Sequence, residues 1–515
     1  MRVHRGGTRA SYTEGAAFGI LSFGAMTALG LVSSVVIARV YGVEVVGEFA
    51  LVVAPVNLVT YLSSARERAA FVRLVATLEP RAPRITGLFA AMLAFSVGLT
   101  ILVGSAGMAI VYLLFAGPID HPDLFAPALA AMASYVFITN TGWNVDGVLT
   151  GFRAGRQLFW IRLHQALAFV GVSVAAGIVW GTVWGLVLAT AAASLTSFAH
   201  RLVVVRPFMR WVVPRADLRD GFRTLPELVQ FGLKIAPGSV ASGLSNEAAT
   251  WVLGAFGSLS GLGAYNRAWT LARRFVEGNW MVTEMLLPTL VERRTDGDTA
   301  GFDRALVDTI RYAAIGLLLV AAVAGGAAHG VMALFGPGFD VAADALAVLL
   351  LVPALVGVTA IQRTALLAAD RPGITSVIMV ARLAVTLVAT LILTWRLGVT
   401  GAALGVLSGA VVSASWMATV TRGYLTTPLR ALWPVREMAA LASAFGAGFL
   451  AARTIEAALD SLVGLVPTLL AGVAVYATVY WLAGGINSRD RLRLAGALAR
   501  VKMHPRGAAP AARAR

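Results

Sequence analysis

The feature that most constrains this chain is a series of apolar stretches, each about 20 residues long, that recurs from residue 16 to residue 484. A helix of that length crosses the hydrocarbon core of a bilayer and satisfies its own backbone there, which an open sheet cannot do. We therefore predict an all-α, polytopic membrane protein with about 14 transmembrane helices. The predicted spans lie at 16–38, 45–63, 85–116, 124–150, 158–179, 182–200, 230–256, 264–289, 306–335, 343–368, 374–395, 398–421, 437–457 and 462–484. If polar stretches such as 264–289 or 437–457 do not cross the membrane, about 12 or 13 spans remain.

Composition excludes a string of soluble domains. The 515 residues are 58% hydrophobic and only 13% charged, whereas soluble domains carry about 25% charged residues. Too few charged residues remain to coat the surfaces of several such domains. The chain also has no cysteine, which excludes disulfides, thiolate metal sites and a cysteine nucleophile.

Basic residues indicate the orientation of the chain in the membrane. The net charge is +16, and arginines concentrate in alternate connections, notably 201–228 and 485–515, whereas the connections on the other side hold only Arg39, Arg396 and Arg453. Because cytoplasmic connections are enriched in Lys and Arg, we predict that both termini are cytoplasmic. We expect the basic tail to lie on anionic lipid headgroups as an amphipathic helix rather than to bind nucleic acid.

An internal repeat relates the two parts of the chain. The matching segments are Gly47-Glu48-Phe49 with Gly263-Ala264-Tyr265, Gly117-Pro118 with Gly336-Pro337, and 180–195 with 397–412. The offset contains six spans, an even number, so the two copies share one orientation and are related by an axis along the membrane normal. The predicted segments are a cytoplasmic N-terminus (1–15), an N-lobe of spans 1–6 (16–205), a cytoplasmic linker (206–229), a C-lobe of spans 7–12 (230–421), two extra spans (437–484) and a basic cytoplasmic tail (485–515).

Predicted span 8 carries the most informative charges. Arg273 and Arg274 lie about 15 Å from its outer end, near the middle of the membrane, and point about 100° apart. Glu277 follows within one helical turn and can reach either arginine. One interpretation is an internal ion pair that positions helices. The other is a cationic cavity for an anionic headgroup, which suits arginine because its guanidinium group binds phosphate oxygens in a bidentate manner.

Glu247 is the acidic residue deep in predicted span 7. It is either the partner of an arginine in span 8 or a proton or cation site. The sequence has no P-loop, H-E-x-x-H, G-x-S-x-G or dinucleotide-binding motif. We therefore expect a transporter rather than an enzyme, with no catalytic residue, cofactor or metal.

Several segments, taken in order, give the chain a resemblance to a known family. They are VIARVYGVEVVGEFALVV (36–53), GVLTGFRAGRQ (147–157), LGAYNRAWTLARRF (262–275), LFGPGFDVAADALAVLL (334–350) and GVTGAALGVLSG (398–409). In this pattern the chain resembles the polysaccharide-flippase branch (O-antigen or lipid-linked oligosaccharide) of the multidrug/oligosaccharidyl-lipid/polysaccharide exporter superfamily. The resemblance implies two six-helix lobes around a central cavity, often followed by two further helices.

The resemblance also implies a function and a site. The expected activity is alternating-access translocation of polyprenyl-(pyro)phosphate-linked sugar from the cytoplasmic to the outer leaflet, for cell-surface polysaccharide biosynthesis. We expect a bacterial plasma-membrane protein that acts as a monomer. The candidate phosphate ligands are Arg267, Arg273 and Arg274, with Lys234 at the inner mouth; the other polar residues assigned to the cavity are Asn57, Asn140, Asn246, Glu247 and Glu277.

Three alternatives remain open at this stage. A drug/cation antiporter of the same superfamily would use Glu247 as its ion site. A membrane glycosyltransferase would require catalytic residues in an outer loop, but the outer loops here are short. Related lipid II flippases carry an arginine in the first span, and this sequence has none within that span, which argues against lipid II as the substrate.

Overall fold

The computed structural model describes residues 12–63, 71–72, 74–152, 154–210, 214–233, 236–369, 372–459, 461–486 and 490. Side chains are described within these ranges except at 12–23, 135–137, 139–141, 231, 277–282, 284–285, 288, 372 and 429. Every regular element in this part of the chain is helical, which confirms the predicted fold class.

The helices follow one another with short connections. They are α1 (Tyr12–Leu62), α2 (Pro83–Ala116), α3 (Phe125–Gly151), α4 (Gly155–Val179), α5 (Val183–Val205), α6 (Arg215–Leu233), α7 (Ala236–Phe256), α8 (Leu259–Thr295), α9 (Thr299–Gly326), α10 (Ala328–Ala333), α11 (Ala343–Leu349), α12 (Val352–Ala368), α13 (Pro372–Arg422), α14 (Leu429–Leu432), α15 (Val435–Leu459) and α16 (Leu465–Leu482). Short 3₁₀ turns precede α3 and α11, at Pro122–Leu124 and Asp340–Ala342.

Within the described residues, nine helical stretches are long and apolar enough to cross a membrane. Two of these stretches, in α1 and α13, each contain two predicted spans, because a glycine with non-helical backbone angles divides the helix. Gly42 (φ 77°) divides α1, and Gly398 (φ 57°) divides α13. The more polar helices α3, α7 and α8 coincide with predicted spans 4, 7 and 8. The total of 14 crossings stays a prediction.

Equivalent glycines make equivalent turns in the two lobes. Gly181 (φ 60°) connects α4 to α5, and Gly398, 217 residues later, connects the two segments of α13. Positive φ angles of this kind are readily adopted only by glycine. The segments of α13 pack so closely that a Cβ atom on Gly405 would lie 2.4 Å from the Cα of Thr390. Small residues at such crossings let transmembrane helices approach closely.

One hydrophobic cluster spans both lobes, and smaller clusters lie within each lobe. The cluster that spans both lobes includes Leu51, Phe115, Tyr265 and Phe335. Helix α1 is central to this arrangement, since it packs on α2–α5 of the N-lobe and also on α7 and α8 of the C-lobe. The contact between the lobes is therefore made mainly by α1.

Helix α6 begins in the predicted cytoplasmic linker, extends four residues beyond it and packs along α2. A Cβ atom on Gly87 would lie 2.1 Å from the Asp217 carbonyl oxygen, and a Cβ atom on Gly221 would lie 2.2 Å from the Gly87 carbonyl oxygen. The two backbones therefore touch at a pair of glycines. This contact holds the start of the linker on the N-lobe.

The last helices form a layer against α9. Helices α15 and α16 pack on each other and on α9, and a buried charged cluster ties them to the start of the tail. The Arg311 guanidinium forms ion pairs with Glu437 at 3.1 Å and with Asp490, and the Tyr312 hydroxyl donates to Asp490 at 2.6 Å. Arg311 thus stabilises the contact of α9 with α15 and with the start of the predicted tail.

Candidate functional site: the lobe interface

The lobe interface consists of two long helix contacts, both made by α1. Residues of the first segment of α1 (12–41) contact α8, whereas the second segment (43–62) contacts α7 and the start of α8. Helix α1 contains predicted spans 1 and 2, and α7 and α8 coincide with predicted spans 7 and 8, so these four spans meet here. The polar residues on these four helices therefore define the candidate site.

Two glycines close the predicted outer end of the interface by a reciprocal backbone contact. A Cβ atom on Gly47 would lie 2.0 Å from the Leu259 carbonyl oxygen, and a Cβ atom on Gly263 would lie 1.9 Å from the Val43 carbonyl oxygen. Gly47 and Gly263 are 216 positions apart, and so are their contact partners Val43 and Leu259. This relation is expected when equivalent surfaces meet across a two-fold axis. Only glycine fits at either position. We call this pair the outer glycine contact.

The second segment of α1 contacts α7 over most of its length. Leu51 packs on Gly254, and nearer the predicted inner end the ring of Tyr61 packs on Gly243. Between these two contacts, the Asn57 Nδ2 donates a hydrogen bond of 3.0 Å to the Glu247 Oε1. Glu247 is buried, with 6% of its surface exposed. This hydrogen bond joins the lobes inside the apolar interface.

The first segment of α1 contacts two arginines of α8. The Arg267 Nη1 donates to the Ser34 Oγ at 3.0 Å, and the Arg274 guanidinium lies against Gly30, where a Cβ atom would come within 2.8 Å of it. The two arginines are seven residues apart and therefore share one face of α8. Glycine at position 30 makes room for the guanidinium group between the lobes.

Arg273 faces a different partner from Arg274, as expected for adjacent residues on a helix. It interacts electrostatically with Glu247 of α7. Arg273 and Asn57 occupy equivalent repeat positions, 216 residues apart. Glu247 therefore interacts with one polar side chain from each lobe, and these two side chains correspond by the pseudo-symmetry.

The remaining predicted site residues divide into two groups. The Asn246 Oδ1 accepts a long hydrogen bond of 3.5 Å from Arg382 of α13, so this oxygen faces the interior of the C-lobe. Lys234 and the side chains of Asn140 and Glu277 lie outside the described residues. Their assignment stays a prediction.

Some interface residues were not singled out from the sequence. Gly30 and Ser34 are one helical turn apart and face Arg274 and Arg267, but no local pattern in the sequence marks a small residue as the neighbour of an arginine on another helix. Tyr265 is fully buried, and its hydroxyl group has no hydrogen-bond partner among the described residues. No sequence signal marks it, because an aromatic residue on a core helix is ordinary.

A buried ion pair lies within the N-lobe, away from the interface. Asp146 of α3 forms a bidentate ion pair with Arg201 of α5, with oxygen–nitrogen distances of 2.8 and 3.0 Å. Both side chains are nearly inaccessible to solvent. This pair holds two helices of the N-lobe together.

The fold defines a class of protein, the multi-pass helical membrane proteins. Among solved structures, the chain is similar to the lipid II flippase MurJ in an inward closed conformation, with a TM-score of 0.65, 12% identity and coverage of 90% of this chain and 97% of that one. It is also similar to an inward-facing multidrug resistance MATE family transporter, with a TM-score of 0.58, 14% identity and coverage of 78% and 96%. At these identities the likeness concerns the fold.

The family follows from the sequence itself. The model of the family described as "Polysaccharide biosynthesis protein" matches residues 13–292, more than half of the chain. The chain belongs to this family. No curated protein matches it at a significant level. The family inferred from the sequence motifs is confirmed, and the fold resembles that of a solved MOP-superfamily transporter.

Proposed function

We propose that this protein is a flippase that moves a polyprenyl-(pyro)phosphate-linked sugar or oligosaccharide from the cytoplasmic to the outer leaflet, for cell-surface polysaccharide biosynthesis. The family supports this assignment. The observation that carries it is the set of three arginines on α8, which reach both the first segment of α1 and Glu247 of α7 at the lobe interface. An anion bound between the lobes would meet these guanidinium groups.

The electrostatics of Arg267 support an anionic ligand. Only 7% of its surface is exposed, and its Nε has no hydrogen-bond acceptor. In the part of the chain that the structure describes, no carboxylate lies within 4 Å of it. A buried charge is costly in a membrane unless it is paired. A phosphate group entering the interface would supply the missing acceptor.

The proposed direction follows from the charge of the substrate. Moving one charge through a potential of 100 mV is worth about 2.3 kcal/mol. A doubly negative headgroup moving toward the positive outer side gains about twice that amount. The sugar crosses between the lobes, and the prenyl chain stays in the apolar part of the membrane. Alternating access requires that the outer glycine contact opens when the headgroup leaves.

Replacing Arg273 and Arg274 together by alanine tests the proposal. A charge-assisted hydrogen bond contributes about 1.5–3 kcal/mol, so the loss of even one weakens phosphate binding about ten- to hundredfold. We expect surface polysaccharide export to be abolished in cells that depend on this protein. The matched control is the double substitution of Arg293 and Arg294, an adjacent pair in the last turn of α8. Normal export by the first variant, at equal protein level, contradicts the assignment.

Glu247 favours one second candidate, a drug/cation antiporter of the same superfamily. A carboxylate buried between the lobes and hydrogen-bonded to Asn57 is a suitable proton or cation site. An antiporter would confer drug resistance that Glu247→Gln abolishes. The flippase proposal expects no drug resistance from either the wild type or the variant.

A further inference from the structure

The N-lobe contains a cavity that the proposed phosphate site does not use. Its volume is about 340 Å³, and its walls come from the second segment of α1 and from α3, α4 and α5. This volume lies within the usual range for small-molecule sites, roughly 300–1,000 Å³. The cavity is lined mainly by apolar side chains, with a few polar groups. Such a lining is typical of a ligand site.

The polar and apolar groups lie toward different ends of the cavity. Arg162 is about 10 Å from the predicted cytoplasmic end of α4, and Asn57 is about 8 Å from the predicted cytoplasmic end of α1. Phe49 and Ala131 lie within about 11 Å of the predicted outer ends of their helices. In the predicted orientation, the polar end therefore faces the cytoplasmic leaflet, and the aromatic end lies deeper in the membrane.

Arg162 gives the polar end a positive charge. The side chain is exposed, and in the described part of the chain no carboxylate lies within 4 Å of it. Gln165, one turn further along α4, adds a second hydrogen-bonding group. A ligand that suits this cavity has a phosphate group toward the cytoplasm and an apolar chain toward the membrane centre. A lipid of the cytoplasmic leaflet has this polarity.

We propose that the N-lobe cavity binds the phosphate-proximal part of an isoprenyl phosphate, with Arg162 on the phosphate and the first isoprene units between Phe49 and Phe169. This inference rests on the proposed function, because the lipid carrier is what that function supplies. The cavity is thus a loading site for the carrier, distinct from the arginines of α8.

The position of Asn57 gives the loading site a connection to the lobe interface. Its side chain lines the cavity, and its amide nitrogen donates to Glu247 of the C-lobe. A phosphate oxygen that accepts a hydrogen bond from this amide competes with Glu247 for the same donor. Occupation of the cavity therefore weakens a hydrogen bond that joins the lobes, which couples loading to their separation.

Binding of geranylgeranyl phosphate to the purified full-length protein tests the inference. We expect Arg162→Gln to weaken binding at least about tenfold, because one charge-assisted interaction is lost. The matched control is Arg156→Gln, an exposed arginine of the same helix that does not line the cavity. Ala166→Phe, which fills the cavity beside Phe169, should also weaken binding. Arg162 is exposed, so its replacement leaves the core intact.

Several outcomes overturn the inference. One is equal binding by the Arg162→Gln and Arg156→Gln variants, and another is displacement of the probe by equimolar phosphatidylglycerol, which would indicate a general phospholipid site. If wild-type protein translocates a lipid-linked sugar but does not bind geranylgeranyl phosphate, the loading site is wrong and the proposed function stands. If it binds the probe but translocates no lipid-linked sugar, the proposed function fails, and with it the assignment of the cavity as a loading site.

Discussion

The outer glycine contact predicts that a single methyl group at position 263 shifts the conformational equilibrium of the lobes. In Gly263→Ala the new Cβ atom would lie 1.9 Å from the Val43 carbonyl oxygen, and such contacts are essentially never shorter than 3.0 Å. The helices must therefore separate by about 1 Å or more at this end. Overpacking of this kind costs about 1–3 kcal/mol, which shifts the closed-to-open ratio roughly 5- to 150-fold.

Cysteine accessibility measures this shift directly, because the chain has no natural cysteine. Val46 is fully buried beside Gly47, so Val46→Cys should react slowly with a membrane-impermeant maleimide added outside the cell. Adding Gly263→Ala should accelerate labelling. The control is Gly98→Ala, since a Cβ atom there would meet no atom within 4 Å. Equal labelling rates of Val46→Cys with and without Gly263→Ala would refute the view that this contact closes the outer end.

Three further substitutions test the structural contacts. Arg201→Met leaves Asp146 as an unpaired buried charge, which should lower the unfolding free energy by about 3–5 kcal/mol and visibly lower the melting temperature in detergent; an unchanged melting temperature contradicts the role of that ion pair. Gly405→Leu places a side chain against the backbone at Thr390, so it should reduce the amount of folded protein, and normal yield and stability would argue against the close packing of the α13 segments. Asp490→Ala removes the acceptor of Tyr312 and a partner of Arg311, so trypsin should cleave the tail faster than in the wild type, and an equal cleavage rate would show that this contact does not hold the tail.

The helical architecture could be predicted because span length and hydrophobicity are local properties of the sequence. The internal repeat could also be predicted from the sequence, but the contacts that its glycines make could not. Gly47 and Gly263 were matched as equivalent positions, and the structure shows that they also touch each other. A residue on the pseudo-symmetry axis must meet its own counterpart.

The partners of the charged residues could be predicted only in part. Adjacent arginines on one helix must point in different directions, so the separation of Arg273 from Arg274 follows from helix geometry. Which helix each one meets depends on tertiary packing between residues more than 200 positions apart, and no local pattern encodes that. For the same reason, the pairing of Asp146 with Arg201 could not be derived from spacing along the chain.

Translocation of a lipid-linked sugar by purified protein in liposomes tests the central claim most directly. The substrate is a polyprenyl-pyrophosphate-linked sugar with a fluorescent group on the sugar, and quenching from one side reports the leaflet that it occupies. The proposed function predicts that wild-type protein moves the headgroup, faster when the receiving side is made positive, and that the Arg273/Arg274 double alanine variant does not. Equal rates for protein-containing and empty liposomes would contradict the proposed function, and a wild-type rate in the double variant would contradict the role of the arginines.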